Sequence, residues 1–192
     1  LFIINIITIF KEVQINLFKF WVFVICILCY IKLVTTSFPI HICSLEVARE
    51  SDLSIYDGVI TIENTIVENP FRVQLECPRQ LILRFDDISL PVDDFEEPRE
   101  IHIYKSLQFA DENKNGSLLI HCHAGISRSS AIALAIISNK LGKGNEKEAV
   151  RILQEINPYC RPNKLLVQMT DKILEREEEL LKAVQDEVDL TY

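Results

Sequence analysis

The chain is 192 residues long, the size of one globular domain, and its 28 acidic residues against 20 basic ones leave a net charge of -8. That balance argues against a nucleic-acid binder, which needs clustered Lys and Arg, but leaves room for an anionic substrate held at a local positive site. Six cysteines, at 26, 29, 43, 77, 122 and 160, form no regular disulfide framework and read as reduced thiols of a cytosol-facing domain.

Residues 1–37 differ in kind from the rest, with Ile, Leu, Phe and Val dominant and Lys11, Lys19 and Lys32 carrying almost all the charge. The stretch 15–34 reaches the ~20 residues that cross a bilayer only if Lys19 snorkels, which predicts a marginal membrane tether. A signal peptide fits worse, because no basic region precedes a compact apolar core. The sequence opens on Leu rather than Met, and the competing expectation is an extension not native to the domain. The expected location is the cytoplasm, or the inner membrane with the domain facing the cytosol. Cys26 and Cys29 form a lone C-x-x-C without a nearby His, which reads as two buried thiols rather than a metal site.

From residue 38 to 192 the composition is that of an ordinary folded domain. Residues 39–45 predict a strand, 46–56 a short helix closed by Asp57-Gly58, and 59–62 a β-branched strand. A loop holding Asn69-Pro70 and Cys77-Pro78 leads to a third strand over 81–85, which stops at Asp86-Asp87. An acidic, Pro-punctuated loop over 86–98 follows, then a helix over 99–112 with Ile103, Leu107 and Ala110 at helical spacing. Asn115-Gly116 turns the chain into a buried strand over 117–120 that runs straight into Cys122. The almost wholly apolar segment 129–141 predicts a buried helix ended by Gly142-Lys143-Gly144. Helices over 145–156 and 164–184 complete the chain, the last capped by Asn163 and exposing Glu175, Glu177, Glu178 and Glu179 to solvent. Strands alternating with helices imply an α/β fold with a central, mainly parallel sheet flanked by helices. Ligands bind such sheets at the carboxyl ends of strands, which is where Cys122 falls.

The stretch His121-Cys122-His123-Ala124-Gly125-Ile126-Ser127-Arg128-Ser129 lies between that buried strand and that buried helix. If residues 123–128 curl around an anion, their N–H groups form a nest, and the helix that follows adds the positive end of its dipole. His123, Ala124, Gly125, Ile126, Ser127 and Arg128 are therefore the predicted phosphate-binding residues. Arg128 brings a planar fork able to hold two phosphate oxygens, and Gly125 permits backbone angles that a side chain resists. The same field favours a thiolate, which makes Cys122 the candidate nucleophile.

These residues resemble the signature H-C-x-x-G-x-x-R-[ST] of the protein tyrosine phosphatase superfamily, matched at His121, Cys122, Gly125, Arg128 and Ser129. Within that superfamily the chain is similar to compact dual-specificity enzymes and predicted bacterial tyrosine phosphatases. The likeness runs over about 40–181 and includes Cys160-Arg161-Pro162-Asn163. The resemblance implies transfer of a phosphoryl group to Cys122 and hydrolysis of the resulting thiophosphate, with no metal and no cofactor. It implies that His121 orients the cysteine, that Ser129 eases departure of the sulfur, and that an Asp acts as general acid. Asp87 ranks first for that role, in its Asp-Ile context; Asp93, with Asp94 beside it, is the alternative.

The resemblance implies a dual-specificity-like protein tyrosine phosphatase, whose substrate is phosphotyrosine or another phosphorylated protein or a small phosphomonoester, with phosphoserine, phosphothreonine, a phosphoinositide or a nucleotide end as alternatives. An acidic stretch over 93–97 and the lack of extra Lys beside Arg128 disfavour polyphosphorylated inositides. The rival expectations are a phosphate-binding pseudophosphatase without turnover, and sulfur or arsenate redox chemistry in which Cys43 or Cys160 resolves an oxidised Cys122. Packing is the better reading of those two thiols, His123 reads as a residue of the loop rim, and His41 and His102 have no evident partners in the sequence.

Overall fold

Runs of Val, Ile, Leu and Thr set the sheet, since β-branched side chains pack well on a pleated, buried surface. The computed structural model describes residues 39–74, 78–113 and 116–188. Its four strands, β1 (Ile40–Ser44), β2 (Gly58–Glu63), β3 (Arg79–Arg84) and β4 (Leu118–Cys122), form one sheet in the order β1-β4-β2-β3, every pairing parallel. The two central strands, β2 and β4, are buried at every position, as a parallel sheet covered on both faces requires. The edge strand β3 exposes Arg79, Ile82 and Arg84, and charged side chains there discourage pairing with another chain.

Side chains alternate across the sheet. Val59 and Leu119 face a small core with Ala48, Tyr56 and Phe71, beneath the short helix α1 (Leu45–Glu50). The other face meets α2 (Glu100–Glu112) and α3 (Arg128–Leu141). From Arg128 to Ser138 every residue of α3 is buried, which explains why its sequence is apolar all round. α4 (Glu146–Ile156) and α5 (Lys164–Ile173) pack against α3, and α6 (Glu179–Glu187) packs against α4 and α5. The α/β architecture expected from the sequence is the one observed.

Several local expectations are corrected. The helix expected over 46–56 is the six-residue α1, capped by Ser44, then a 3-10 turn at Leu53–Ile55 capped by Asp52. Ser51 Oγ donates to Val47 O, and Asp52 captures Ser54, so polar side chains end the helix early. The strand expected over 117–120 runs on to include His121 and Cys122. The single helix expected over 164–184 is two, joined by Glu175, Glu177 and Glu178, whose φ values of 53°, 55° and 69° are left-handed. Two buried groups force that break. Arg176 turns inward to Glu146 Oε1 (3.3 Å) and Ser138 O (2.8 Å), and Asp171 accepts the amides of Glu178 (2.8 Å), Leu180 (2.9 Å) and Leu181 (3.2 Å). The glutamates expected on a helix face are exposed, but most of them lie in this link.

His41 and His102 both have partners. His41 Nδ1 lies 2.8 Å from Tyr56 Oη, and His102 Nδ1 accepts the Arg99 amide at 3.0 Å while its ring stacks on Phe85. Cys77, Asn115, the Cys26–Cys29 pair and the stretch 15–34 lie outside the described residues. Among the described residues, no helix is long and apolar enough to cross a membrane.

Candidate active site

β4 ends in His121 and Cys122, and α3 begins at Arg128, so the five residues between them must turn tightly at the carboxyl edge of the sheet. Gly125 makes that turn at φ 74°, pressed against β1: a Cβ there would lie 2.5 Å from Cys43 C, 2.6 Å from Cys43 O and 2.7 Å from Ser44 N. Only glycine meets both demands. The outer side of the loop is held through its carbonyls. Leu45 N donates to His123 O (3.1 Å), Asn157 Nδ2 to Gly125 O (2.9 Å), Arg161 N to Ile126 O (3.0 Å), and Ala131 N to Ser127 O (3.0 Å). With these carbonyls engaged, the loop's amides other than that of Gly125, which donates to the Cys122 sulfur, are placed to serve a ligand.

Cys122 is 2% exposed. The Gly125 amide donates to its Sγ at 3.3 Å, and Ser129 Oγ lies 3.3 Å from the same sulfur. Arg128 is 3% exposed, with Nη1 donating to Phe85 O at 2.8 Å. Its Nε makes no hydrogen bond and lies 3.8 Å from Asp87 Oδ2, a distance for Coulomb attraction only. The site thus holds a thiol, a buried guanidinium and a turn of amides within one loop.

Asp87 Oδ1 accepts from Ser127 Oγ (2.7 Å) and from Asn163 Nδ2 (2.9 Å), which hold the carboxyl at the loop rim. Asp93 and Asp94 lie further along the same acidic loop, exposed, and among the described residues neither bonds to the turn over 123–128. Asp86 is buried and closes this loop on itself. It accepts the Thr65 hydroxyl and the Glu96 amide, while its own amide donates to Glu96 O. Burial opposes its charge, but the hydrogen bonds from Thr65 and Glu96 and the nearby Arg128 outweigh that and hold its carboxyl below the usual range.

On the sheet side, His121 Nε2 lies 2.9 Å from Thr61 Oγ1, its partner in register, and its ring meets Phe71 edge-on. Gln80 Nε2 donates to the same threonine at 2.8 Å. Burial pushes His121 down to about 4, so the ring is neutral at pH 7. His123, by contrast, is exposed at the rim. A cavity of about 310 Å³ opens beside the sulfur, lined by Arg49, Thr61, Phe71, His121, Cys122 and His123 among others. Two larger cavities, of about 620 and 460 Å³, lie against α4 and α6 and against the α5–α6 link, away from the loop.

Burial pushes Cys43 up to about 11, with the neighbouring Cys122 adding to the shift, and it also raises Cys160, which is 1% exposed. Both are thus poor thiolates. Sequence reasoning missed Thr61, Asp86 and Asn157, and read Asn163 as a cap and as part of the family-like segment 160–163, without a partner in the site. A local signal existed for two of them: Asn157 precedes Pro158 in a turn, and Asn163 follows Pro162.

The fold and this loop define a cysteine-based phosphatase architecture. The chain belongs to the dual specificity phosphatase catalytic domain family, whose model matches residues 62–173, more than half of its length. A probable dual specificity protein phosphatase of Dictyostelium discoideum is 36% identical over 87 residues, covering 43% of this chain and 22% of that protein. Human dual specificity protein phosphatase 16 is 37% identical over 91 residues, covering 45% of this chain and 14% of that one. The chain thus matches less than a quarter of the length of either relative. The crystal structure of human DUSP28 shares the fold at TM-score 0.56 and 16% identity, over 74% of this chain and 96% of that one. That of the human tyrosine phosphatase-like serine/threonine/tyrosine-interacting protein does so at TM-score 0.51 and 24% identity, over 67% and 81%.

Proposed function

We propose that this domain hydrolyses phosphomonoesters on proteins through a phosphocysteine at Cys122. The observation that carries this reading is the Cys122 sulfur, 3.3 Å from both the Gly125 amide and Ser129 Oγ, in a loop closed by the buried Arg128. The loop amides and Arg128 hold the phosphoryl oxygens and the charge that develops on them. Cys122 attacks phosphorus, and Asp87 protonates the leaving oxygen. Water then attacks the phosphocysteine, giving its proton to Asp87, while the Ser129 hydroxyl supports the departing thiolate. His121, neutral and bound to Thr61, fixes the approach of β4 to the loop.

The cavity of about 310 Å³ beside Cys122 gives room next to the sulfur for a phosphorylated side chain of a protein or a small aryl phosphate. A nucleophile that is a free thiol fits a reducing cytoplasmic location. The test is phosphate release from p-nitrophenyl phosphate by the full chain in the presence of chelator, beside Cys122→Ser. Turnover that is lost in the variant supports the proposal. A folded wild-type chain that binds vanadate and releases no phosphate would replace it with a phosphate-binding pseudophosphatase.

A further inference from the structure

Asn163 joins three parts of the site. Its amide donates to Ser127 O (3.3 Å), its Oδ1 accepts the Leu166 amide at the start of α5 (3.2 Å), and its Nδ2 donates to Asp87 Oδ1 (2.9 Å) and Ile88 O (3.1 Å). The residue is 3% exposed. Capping needs only the acceptor, which Ser, Thr or Asp supplies equally well. The two bonds from Nδ2 are left unexplained by capping, and both reach the segment just after β3.

Ser127 Oγ donates to the same Asp87 oxygen at 2.7 Å. A carboxylate oxygen offers two lone pairs in its plane, so these two donors fill Oδ1. The other oxygen, Oδ2, is the one 3.8 Å from Arg128 Nε, on the side of the phosphate-binding turn.

We infer that Asn163 is a positioning residue for the general acid: together with Ser127 it occupies Oδ1 of Asp87 and so keeps the transferable proton on Oδ2, facing the phosphoryl group. This rests on the reading of Asp87 as the acid. In the first step the S–P bond forms, the bond from phosphorus to the leaving oxygen breaks, and the Oδ2 proton moves to that oxygen. In the second, water's oxygen bonds to phosphorus, its proton returns to Oδ2, and the S–P bond breaks to leave a thiolate. The same oxygen serves both steps only if the carboxyl does not rotate. Asp87 has a side chain 38% exposed, and without the Nδ2 bond it is free to turn toward solvent.

The experiment measures kcat/KM of the full chain on aryl phosphates whose leaving phenols range from strongly to weakly acidic. An acid that protonates the leaving oxygen makes the rate nearly independent of the phenol, and its loss slows the poor leaving groups most. Three variants are compared with wild type: Asn163→Ser and Asn163→Asp, which keep a capping oxygen but lack the amide donor, and Asp87→Asn as reference. The expected result is a loss of about ten- to hundredfold on the weakly acidic phenols in both Asn163 variants, with little loss on the most acidic one. The melting temperature of Asn163→Ser should stay within a few degrees of wild type, because the cap survives, whereas Asn163→Asp sets a buried carboxylate beside that of Asp87 and should melt lower. The Asp87→Asn/Asn163→Ser double variant should be no steeper than Asp87→Asn alone. A steep Asp87→Asn beside flat Asn163 variants overturns the inference and leaves Asn163 as a cap. A flat Asp87→Asn overturns the assignment of the acid itself, and the inference with it.

Discussion

Replacing Gly125 with Ala tests the loop where it is least tolerant. The residue sits at φ 74°, and a left-handed backbone costs a residue with a Cβ about 1–2 kcal/mol. The added carbon would lie 2.5–2.7 Å from Cys43 C, Cys43 O and Ser44 N, all main-chain atoms of β1. They cannot swing aside as a side chain would, because β1 is bonded to β4 along its whole length, Ser44 against Cys122 included. Loop and strand must therefore part by roughly 1 Å, and overpacking of that kind costs roughly 1–3 kcal/mol. Together the two penalties come to about 2–5 kcal/mol, which lowers the melting temperature of a domain of this size by roughly 5–20 °C. Parting also shifts the Gly125 amide from the sulfur, and a misplacement of about 1 Å at a reacting centre costs on the order of a hundredfold in rate. Thermal unfolding with and without vanadate, with kcat/KM on an aryl phosphate, measures both effects. An alanine variant that melts within 2 °C of wild type (roughly the effect of under 1 kcal/mol) and binds vanadate equally well refutes the described contact of loop and strand.

Ser129→Ala should slow breakdown of the phosphocysteine more than its formation, since the hydroxyl 3.3 Å from Sγ supports the departing thiolate. Rapid mixing with p-nitrophenyl phosphate should show a burst of nitrophenol of about one per enzyme, followed by a slower steady state. Glu146→Ala should cost about 3–5 kcal/mol in urea unfolding, because it leaves the buried Arg176 charge without its carboxylate, while kcat/KM at 25 °C changes little. Burial lowers His102 to about 4 as it does His121, so between pH 4 and 6.5 the unfolded chain binds more protons than the folded one. These two groups therefore favour folding above pH 6.5, and their contribution is lost as pH falls from there toward 4. His102→Gln keeps an acceptor for the Arg99 amide and should flatten this decline in the urea midpoint; an unchanged slope contradicts the assignment.

Local chemistry made the centre of the site legible in one dimension. Cys122, Gly125, Arg128 and Ser129 sit within eight consecutive positions, and the loop's shape follows from a strand entering and a helix leaving it. The continuous apolar runs of β4 and α3 are equally direct, because an element buried on every side has no polar face to mark. Helix breaks were harder to read. Nothing in the string from 164 to 184 announces that Arg176 turns inward to Glu146 or that Asp171 caps the next helix, since both depend on partners that folding alone brings close.

The same limit applies to the groups around the loop. Sequence spacing left Asp87, Asp93 and Asp94 as rivals on one acidic segment, each exposed and each near the end of β3 in sequence. Tertiary packing brings only Asp87 to Ser127, 40 positions on, and to Asn163, 76 positions on. Asn157 reaches Gly125 across 32 positions, and Thr61 reaches His121 across 60. By itself, the sequence determined the fold class, the tight turn between β4 and α3 and the thiol, guanidinium and hydroxyl that it carries, because those depend on neighbours along the chain. Only the tertiary structure decided which carboxylate and which amides hold that turn in place, because a hydrogen bond between distant residues leaves no periodicity behind.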